Sequence, residues 1–234
     1  MQRTPIWQFR AFQNWVKTVL ISELVEKDGS VAELFCGHGL DTGKWERAKI
    51  GSYIGIDTDR IALTEAESKW QQKNCPYTAQ FLNIDLLERS VDKELAPDIQ
   101  FDIVTCFDGM QKAFSDLSHA NTFLHNVSSR LKDGGYFFGI IPDSSAIWYK
   151  SQKVISGLPC IKSSLFNIDF DSDIFTFFGS RYQLSMKDGS NVTDNLIHFP
   201  TFINLVTLIN NFIKGLYTTF IFYKEVEQPL IIQG

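Results

Sequence analysis

The stretch Val31–Trp45, VAELFCGHGLDTGKW, decides how the chain is read. A short apolar run suited to a buried strand, Val31 to Phe35, passes straight into Cys36-Gly37-His38-Gly39, and a helix is expected from Asp41 to Arg47. Glycine has no Cβ, so such a turn brings bare backbone close to a ligand, and a helix start adds N–H donors. The dinucleotide pattern G-x-G-x-x-G requires glycine at position 42, but Thr42 stands there and Gly43 comes one residue late. The loop therefore favours a cofactor without a diphosphate. S-adenosylmethionine is such a ligand, since its carboxylate and amine suit backbone and side-chain contacts.

Working outward, Phe9 to Glu26 carries apolar residues at helical spacing (Phe9, Phe12, Val16, Val19, Leu20, Leu24) and stops before Asp28-Gly29. Downstream, SYIGID (Ser52 to Asp57) reads as a strand and Arg60 to Lys73 as an amphipathic helix. AQFLNID (Ala79 to Asp85) and FDIVTCF (Phe101 to Phe107) read as further strands. Leu117 to Leu131 reads as a helix closed by a KDGG turn, and YFFGIIPD (Tyr136 to Asp143) as a fifth strand. This alternation predicts an α/β fold, with a mostly parallel sheet and helices on both faces. Ligands of such sheets bind beyond the carboxyl ends of the strands, where strand order reverses.

Three of those strand ends suit the cofactor. Asp57 could accept from both ribose hydroxyls, or cap the helix starting near Asp59. Asp85 could accept from an adenine amino group, or cap the turn into Leu86. Phe107 could pack against adenine. Trp15 and Trp45 are expected in the core.

Beyond Asp143, Ile147 to Ile155 should be helical, and LFNIDFDSDIFTFFGSRYQLSM should form antiparallel strands with KDGSN as a turn. Phe202 to Phe222 is long enough to cross a bilayer, but Asn204, Asn210, Asn211 and Lys214 would be costly there. It is read instead as a helix ending near Lys214, a break at Gly215 and a strand, with no membrane partner. The 234 residues suffice for one domain, expected to divide into a cofactor half, 1–143, and a substrate-facing half, 144–234. A net charge of −5 gives no global positive field, so any RNA contact must be local. Cys36, Cys75, Cys106 and Cys160 show no paired metal spacing and read as reduced intracellular thiols, with no metal expected. The first residues show no secretory signal pattern.

FRAFQNWVKTVLI (Phe9 to Ile21) resembles the N-terminal helix motif of the mRNA cap guanine-N7 methyltransferases, an Asn-Asn-Trp followed by Lys. AELFCGHGLDTGKW resembles that family's LDLGCGKGGDLLKW, and FDIVTC, LKDGGYFFGIIPDS and LIHFPTF extend the likeness over nearly the whole chain. The resemblance implies a Rossmann-like class I methyltransferase fold, with methyl transfer from S-adenosylmethionine to N7 of the RNA cap guanine. On the cofactor side it implies that Lys17 meets the methionine carboxylate and that Phe35, Cys36 and Gly37 form the loop. It further implies Asp57 at the ribose, Asp85 at adenine, and Phe107 in contact with the cofactor. On the substrate side it places Gln13 and Asn14 near the cap, and His38, Lys44 and Lys69 around its phosphates. Asp194 matches a guanine-reading Glu, and Tyr217 a cap-contacting Tyr. Gln111, with Lys112, stands where the family has a His-Tyr pair, and His38 replaces a loop lysine. The segment between Phe212 and Tyr217 is shorter than the family's, which would leave the last strand at an exposed edge.

Guanine N7 carries a lone pair and no proton, so its methylation needs no general base, and no catalytic side chain is expected. Positioning and exclusion of water could supply on the order of 7–11 kcal/mol at best. The implied partner is the capped 5′ end of mRNA, with other capping machinery, in the nucleus. Two alternatives stand beside this reading: another S-adenosylmethionine-dependent methyltransferase acting on a small molecule, and a weakly active cofactor- or RNA-binding homologue.

Overall fold

In the computed structural model, which describes residues 5–153, 157–210, 212–214 and 219–224, the strand ahead of the glycine turn lies inside a seven-stranded sheet. This strand, β1 (Ser30–Leu34), pairs in parallel with β2 (Ser52–Asp57) on one side and β4 (Phe101–Cys106) on the other. β3 (Thr78–Asn83) continues past β2, and β5 (Leu131–Ile140) past β4, all parallel. Strand order therefore reverses between β1 and β4, and the crevice at their carboxyl ends is where such a sheet takes a ligand.

The alternation along β1 sorts the two faces. Val31 turns toward Leu20 and Ile21 of α1 (Pro5–Leu24) and Trp45 of α2 (Thr42–Ala48). Trp70 of α3 (Arg60–Gln72) packs on the same side. Ala32 and Leu34 turn toward Phe123 and Val127 of α5 (Leu117–Ser128) and Phe202 and Val206 of α7 (Phe199–Asn210). Between β4 and α5 lies the short helix α4 (Met110–Ala113), which carries Gln111 and Lys112. Trp45 is fully buried as expected, but Trp15 is 60% exposed and stacks on Phe12, so that face of α1 is not core.

A second, antiparallel sheet follows α6 (Ser144–Ser151), which is shorter than the helix read to Ile155, whose last two residues lie outside the described ones. Its strands are β6 (Cys160–Lys162), β7 (Phe166–Phe170), β8 (Arg181–Met186) and β9 (Asn191–Asn195). The expected KDGSN turn joins β8 to β9, with Gly189 at φ 93°. Ile168, Phe170, Tyr182 and Leu196 form the core of this sheet. The Gly179 N–H donates to the Phe114 carbonyl at 2.8 Å, and the Ile197 N–H to Ser144 Oγ at 3.1 Å. These bonds, and an ion pair from Arg10 on α1 to Asp188 in the β8–β9 turn, fasten it to the rest.

Other boundaries also differ from the sequence reading. α5 ends at Ser128 and β5 begins at Leu131, so KDGG is not a helix-closing turn. The extra residues enter β5 as an irregular start, where its register against β4 shifts between Phe101 and Ile103 and Gly134 takes φ 80°. β3 stops at Asn83, which leaves Asp85 in the turn beyond it. α7 stops at Asn210, and Phe212–Lys214 is a strand, β10, antiparallel to β11 (Thr219–Lys224), which itself runs antiparallel to β5. β11 is therefore not an exposed edge: β10 satisfies part of its free ladder, a tertiary gain that outweighs continuing the helix. The break expected at Gly215 lies outside the described residues.

Candidate active site

The loop after β1 reverses through left-handed backbone at Phe35 (φ 54°), Gly37 (φ 51°) and Gly39 (φ 64°). The two glycines serve different ends. A Cβ on Gly39 would lie 2.7 Å from the Ala66 Cβ, so that glycine lets α3 approach the loop. A Cβ on Gly37 would meet nothing within 4 Å; it would fill open space over the loop, where a ligand can lie on bare backbone. Gly39→Ala should therefore destabilise the fold by roughly 2–4 kcal/mol, read as a lower midpoint in denaturant unfolding. Cys36 is buried, and burial, with the nearby carboxylates of Glu33 and Asp57, pushes its thiol well above the ordinary range, so it is inert packing beneath the loop.

Asp57, the last residue of β2, braces this turn. Its Oδ2 accepts from the Gly37 N–H at 2.8 Å and its Oδ1 from the Asp59 N–H at 2.9 Å. The cap of α3 is Asp59 itself, which accepts from the Ile61 and Ala62 N–H groups. Asp57 thus keeps one lone pair per oxygen beside the open face of Gly37. Asp85 is exposed and caps its turn by accepting from the Leu87 N–H at 3.0 Å. Phe107 stands elsewhere than expected. Its ring is buried, stacked on Trp45 at 6.3 Å, with the Lys17 ammonium 4.9 Å from its centroid. β4 lies three strand spacings from β3, about 14 Å, so this ring supports Lys17 and does not face a base held at Asp85.

Beside the loop, α1 and α2 bring together charges that the sequence reading treated separately. Lys17 Nζ donates to Asp41 Oδ2 at 2.8 Å, Lys44 Nζ donates to Asp41 Oδ1 at 2.5 Å, and Lys44 also donates to Asn14 Oδ1 at 3.0 Å. Burial alone would raise the Asp41 pKa, but the Lys17 and Lys44 ammoniums and their hydrogen bonds hold it below the ordinary range. Lys44 is thus buried and engaged, and not free to meet a phosphate in the way expected. Beneath lies Glu33, whose Oε2 accepts from Trp45 Nε1 and the Tyr53 hydroxyl, each at 2.8 Å. Its burial, together with the Asp41 charge, pushes the carboxyl up to about 7. Lys17 and Asp41 are a matched cation and anion for an α-carboxylate and an α-amine. With the bare Gly37 and the Asp57 carboxylate, the donor set fits an amino-acid nucleoside such as S-adenosylmethionine.

The second cluster lies where β9 meets α4. Asp194 is buried and its Oδ1 has no hydrogen-bond partner. It lines a pocket of about 280 Å³ together with Lys112, Ser115, Arg181, Thr193 and Asn195. Burial and the Asp108 carboxylate push Asp194 up to about 6, against the opposing pull of Lys112. Gln111 is buried too; its backbone carbonyl accepts from Asn195 Nδ2 at 3.3 Å, and its Oε1 is also unpartnered. An unpartnered buried acceptor is costly to keep, and lining a pocket is where a ligand's N–H would offset that cost.

The remaining expected residues are distributed around these clusters. Gln13 is exposed on α1. His38 Nδ1 lies 2.9 Å from Glu65 Oε2, and Lys69 Nζ donates to the His38 carbonyl at 2.5 Å, so these basic groups sit together at the rim with an acid among them. Tyr217 lies outside the described residues. The sequence reading missed Asp41 and Glu33, and placed Lys112 beside Gln111 without giving it a role. Asp41 had a signal: a lysine facing a ligand carboxylate needs a resting counter-ion, and the loop offers this acid. Among the described residues no cluster of three or more His, Cys, Asp or Glu could hold a metal, and no helix is long and apolar enough to cross a membrane.

The reversal of strand order and the glycine loop beside Asp57 define a Rossmann-like class I methyltransferase fold. Solved structures agree in fold: the PH0226 protein of Pyrococcus horikoshii OT3 (TM-score 0.63, 16% identity, 95% of each chain covered). So does an S-adenosylmethionine-dependent methyltransferase of Clostridium acetobutylicum ATCC 824 (TM-score 0.56, 15% identity, 93% of this chain and 92% of that one). The chain belongs to the mRNA (guanine-N(7))-methyltransferase domain family, whose model matches residues 1–226. It is 37% identical over 204 residues to mRNA cap guanine-N(7) methyltransferase 2 of Oryza sativa subsp. japonica, covering 82% of this chain and 60% of that protein. With mRNA cap guanine-N(7) methyltransferase 2 of Arabidopsis thaliana the identity is 36% over 209 residues, covering 82% and 58%. The chain thus spans about three fifths of the length of these relatives.

Proposed function

We propose that the chain transfers a methyl group from S-adenosylmethionine to N7 of the guanine that caps mRNA. The observation that carries this reading is the buried Asp194 carboxylate with its unpartnered Oδ1, lining a pocket that Lys112 joins to the cofactor loop at Phe35. When bound, S-adenosylmethionine supplies the activated methyl group. Lys17 and Asp41 hold its carboxylate and amine, Asp57 its ribose, the Cys36-Gly37 backbone its underside, and Asp85 its adenine. Ionised Asp194 accepts the guanine N1–H and N2–H, which orients the base and favours the positive charge that develops on it. His38 and Lys69 at the rim, with Gln13 and Asn14 on α1, face the triphosphate side, and Tyr217 completes the base contact.

N7 needs no proton removed, so the residues act by alignment and by excluding water. Residues 1–143 form the cofactor half of one domain and 144–234 the substrate-facing half. Capped nascent mRNA implies work in the nucleus, alongside the other enzymes that build the cap.

Two measurements test this. Calorimetric titration with S-adenosylmethionine and its demethylated product should give saturable binding. Labelled methyl groups should then pass to capped RNA and to an unmethylated cap dinucleotide, and not to uncapped RNA. Cofactor binding with no cap-dependent transfer would overturn the activity while leaving the cofactor site standing.

A further inference from the structure

The edge by which guanine is recognised runs from the N2 amine through N1–H to O6, with N7 beyond. A carboxylate answers the two donors and leaves O6, an acceptor, without a partner. Asp194 can do no more than that. Because O6 lies between N1 and N7, its donor must stand between Asp194 and the cofactor loop, toward which N7 has to face.

Lys112 stands at that place. It lines the same pocket as Asp194. Its ammonium is 5.8 Å from the centroid of Phe35, the residue that leads into Cys36-Gly37. The two charges act on each other across the pocket, Lys112 opposing the upward push on Asp194. Yet Asp194 Oδ1 keeps no partner, so the lysine does not close the pocket by bonding to it. The gap is flanked by an acceptor on one side and a donor on the other.

We propose that Lys112 donates to O6 of the cap guanine, so that Asp194 and Lys112 together read the base. This rests on the pocket being the guanine site. Adenine would set its 6-amino group against the ammonium and an N1 lone pair against the carboxylate, mismatched at both ends. The same ammonium also bears on the product. Methylation at N7 places positive charge on the ring next to O6, which Lys112 repels, so the pocket favours the unmethylated cap over the methylated one.

The test is equilibrium titration of the full chain, loaded with demethylated cofactor, against cap dinucleotides bearing guanosine, 6-thioguanosine (a weaker acceptor at the same place), inosine (no N2 amine) and 7-methylguanosine. Wild type should bind the guanosine cap roughly 3–10-fold tighter than the 6-thio cap. Lys112→Met should weaken the guanosine cap about 10-fold or more, bind the oxo and thio caps alike, and shift its preference several-fold toward the methylated cap. It should keep the guanosine-over-inosine preference, which reports on Asp194, and Lys112→Arg should restore discrimination between oxo and thio. Thermal shift with the demethylated cofactor checks that each variant is folded. If Lys112→Met keeps the oxo preference, or weakens all four caps equally as loss of a phosphate contact would, the assignment of Lys112 is wrong. If wild type prefers guanosine to inosine but not oxo to thio, Lys112 alone is overturned; if it shows neither preference, the guanine reading itself falls with it.

Discussion

Asp194→Ala should lower methyl transfer to a capped substrate about 10²–10³-fold while leaving the affinity for S-adenosylmethionine unchanged. The side chain is the one buried acceptor of β9 without a partner, and it stands apart from the Lys17–Asp41 and Asp57 contacts. A variant with full activity would remove Asp194 from the site. Its titration gives a second, independent signature. Burial and Asp108 raise the carboxyl from 3.8 to about 6 in the folded protein. A folded pKa above the unfolded one means that the group's contribution to stability is fully present below about pH 4 and is lost as pH rises through about 6. Asp194→Asn cannot ionise, so it should match wild type at pH 4 and exceed it by roughly 1–2 kcal/mol at pH 8 in denaturant unfolding. Wild-type transfer should fall as pH drops below about 6, where the acceptor becomes protonated. A residue that costs stability at neutral pH, and whose loss costs activity, is placed for its ligand.

Asp41→Ala should destabilise the fold by about 3–5 kcal/mol. It strips the shared counter-ion from Lys44, which is buried, and from Lys17. The folded pKa of Asp41 lies below its ordinary value, so the stability it confers is present at neutral pH and lost as pH falls through the folded pKa. The excess stability of wild type over the variant should therefore shrink in acid. Lys17→Met separates holding the fold from holding the ligand, because Lys44 still neutralises Asp41 in that variant. It should cost less stability and weaken cofactor binding about 10–100-fold, measured by calorimetry. Equal cofactor affinity in Lys17→Met and wild type would take the methionine carboxylate away from Lys17.

The order of elements was legible because each carries its own local signal. SYIGID matched its strand at both ends, since a parallel strand buried on both faces reads as a continuous apolar run. Asp57 closes that run, so its place at the strand's carboxyl end was legible with it. What periodicity cannot see is what covers a face. The spacing that puts Phe12 on an apolar stripe of α1 is the same whether that position is core or, as here, exposed. Pairing across the sequence was equally hidden. Phe212–Lys214 suits the end of a helix until β11 offers it a ladder. Asp41 read as a helix start because its two lysine partners come from α1 and from one turn onward in α2, and only the fold brings all three together. Phe107 lies one residue past β4 rather than at its end, and nothing in FDIVTCF shows the side to which its ring turns.

The resting pair of Lys17 and Asp41 means the cleft holds its own internal salt. A zwitterion arriving there exchanges partners like for like: its carboxylate takes the ammonium, its ammonium takes the carboxylate, and the local sum of charge is the same before and after. The amino-acid end of the proposed methyl donor would thus enter without expelling small counter-ions, and its sulfonium would be the one charge added. Capped RNA, the proposed substrate, would by contrast bring a run of uncompensated phosphates to a chain that is acidic overall. On the proposed function the two ligands would therefore meet one surface under different rules, the donor adding a single positive charge and the nucleic acid many negative ones.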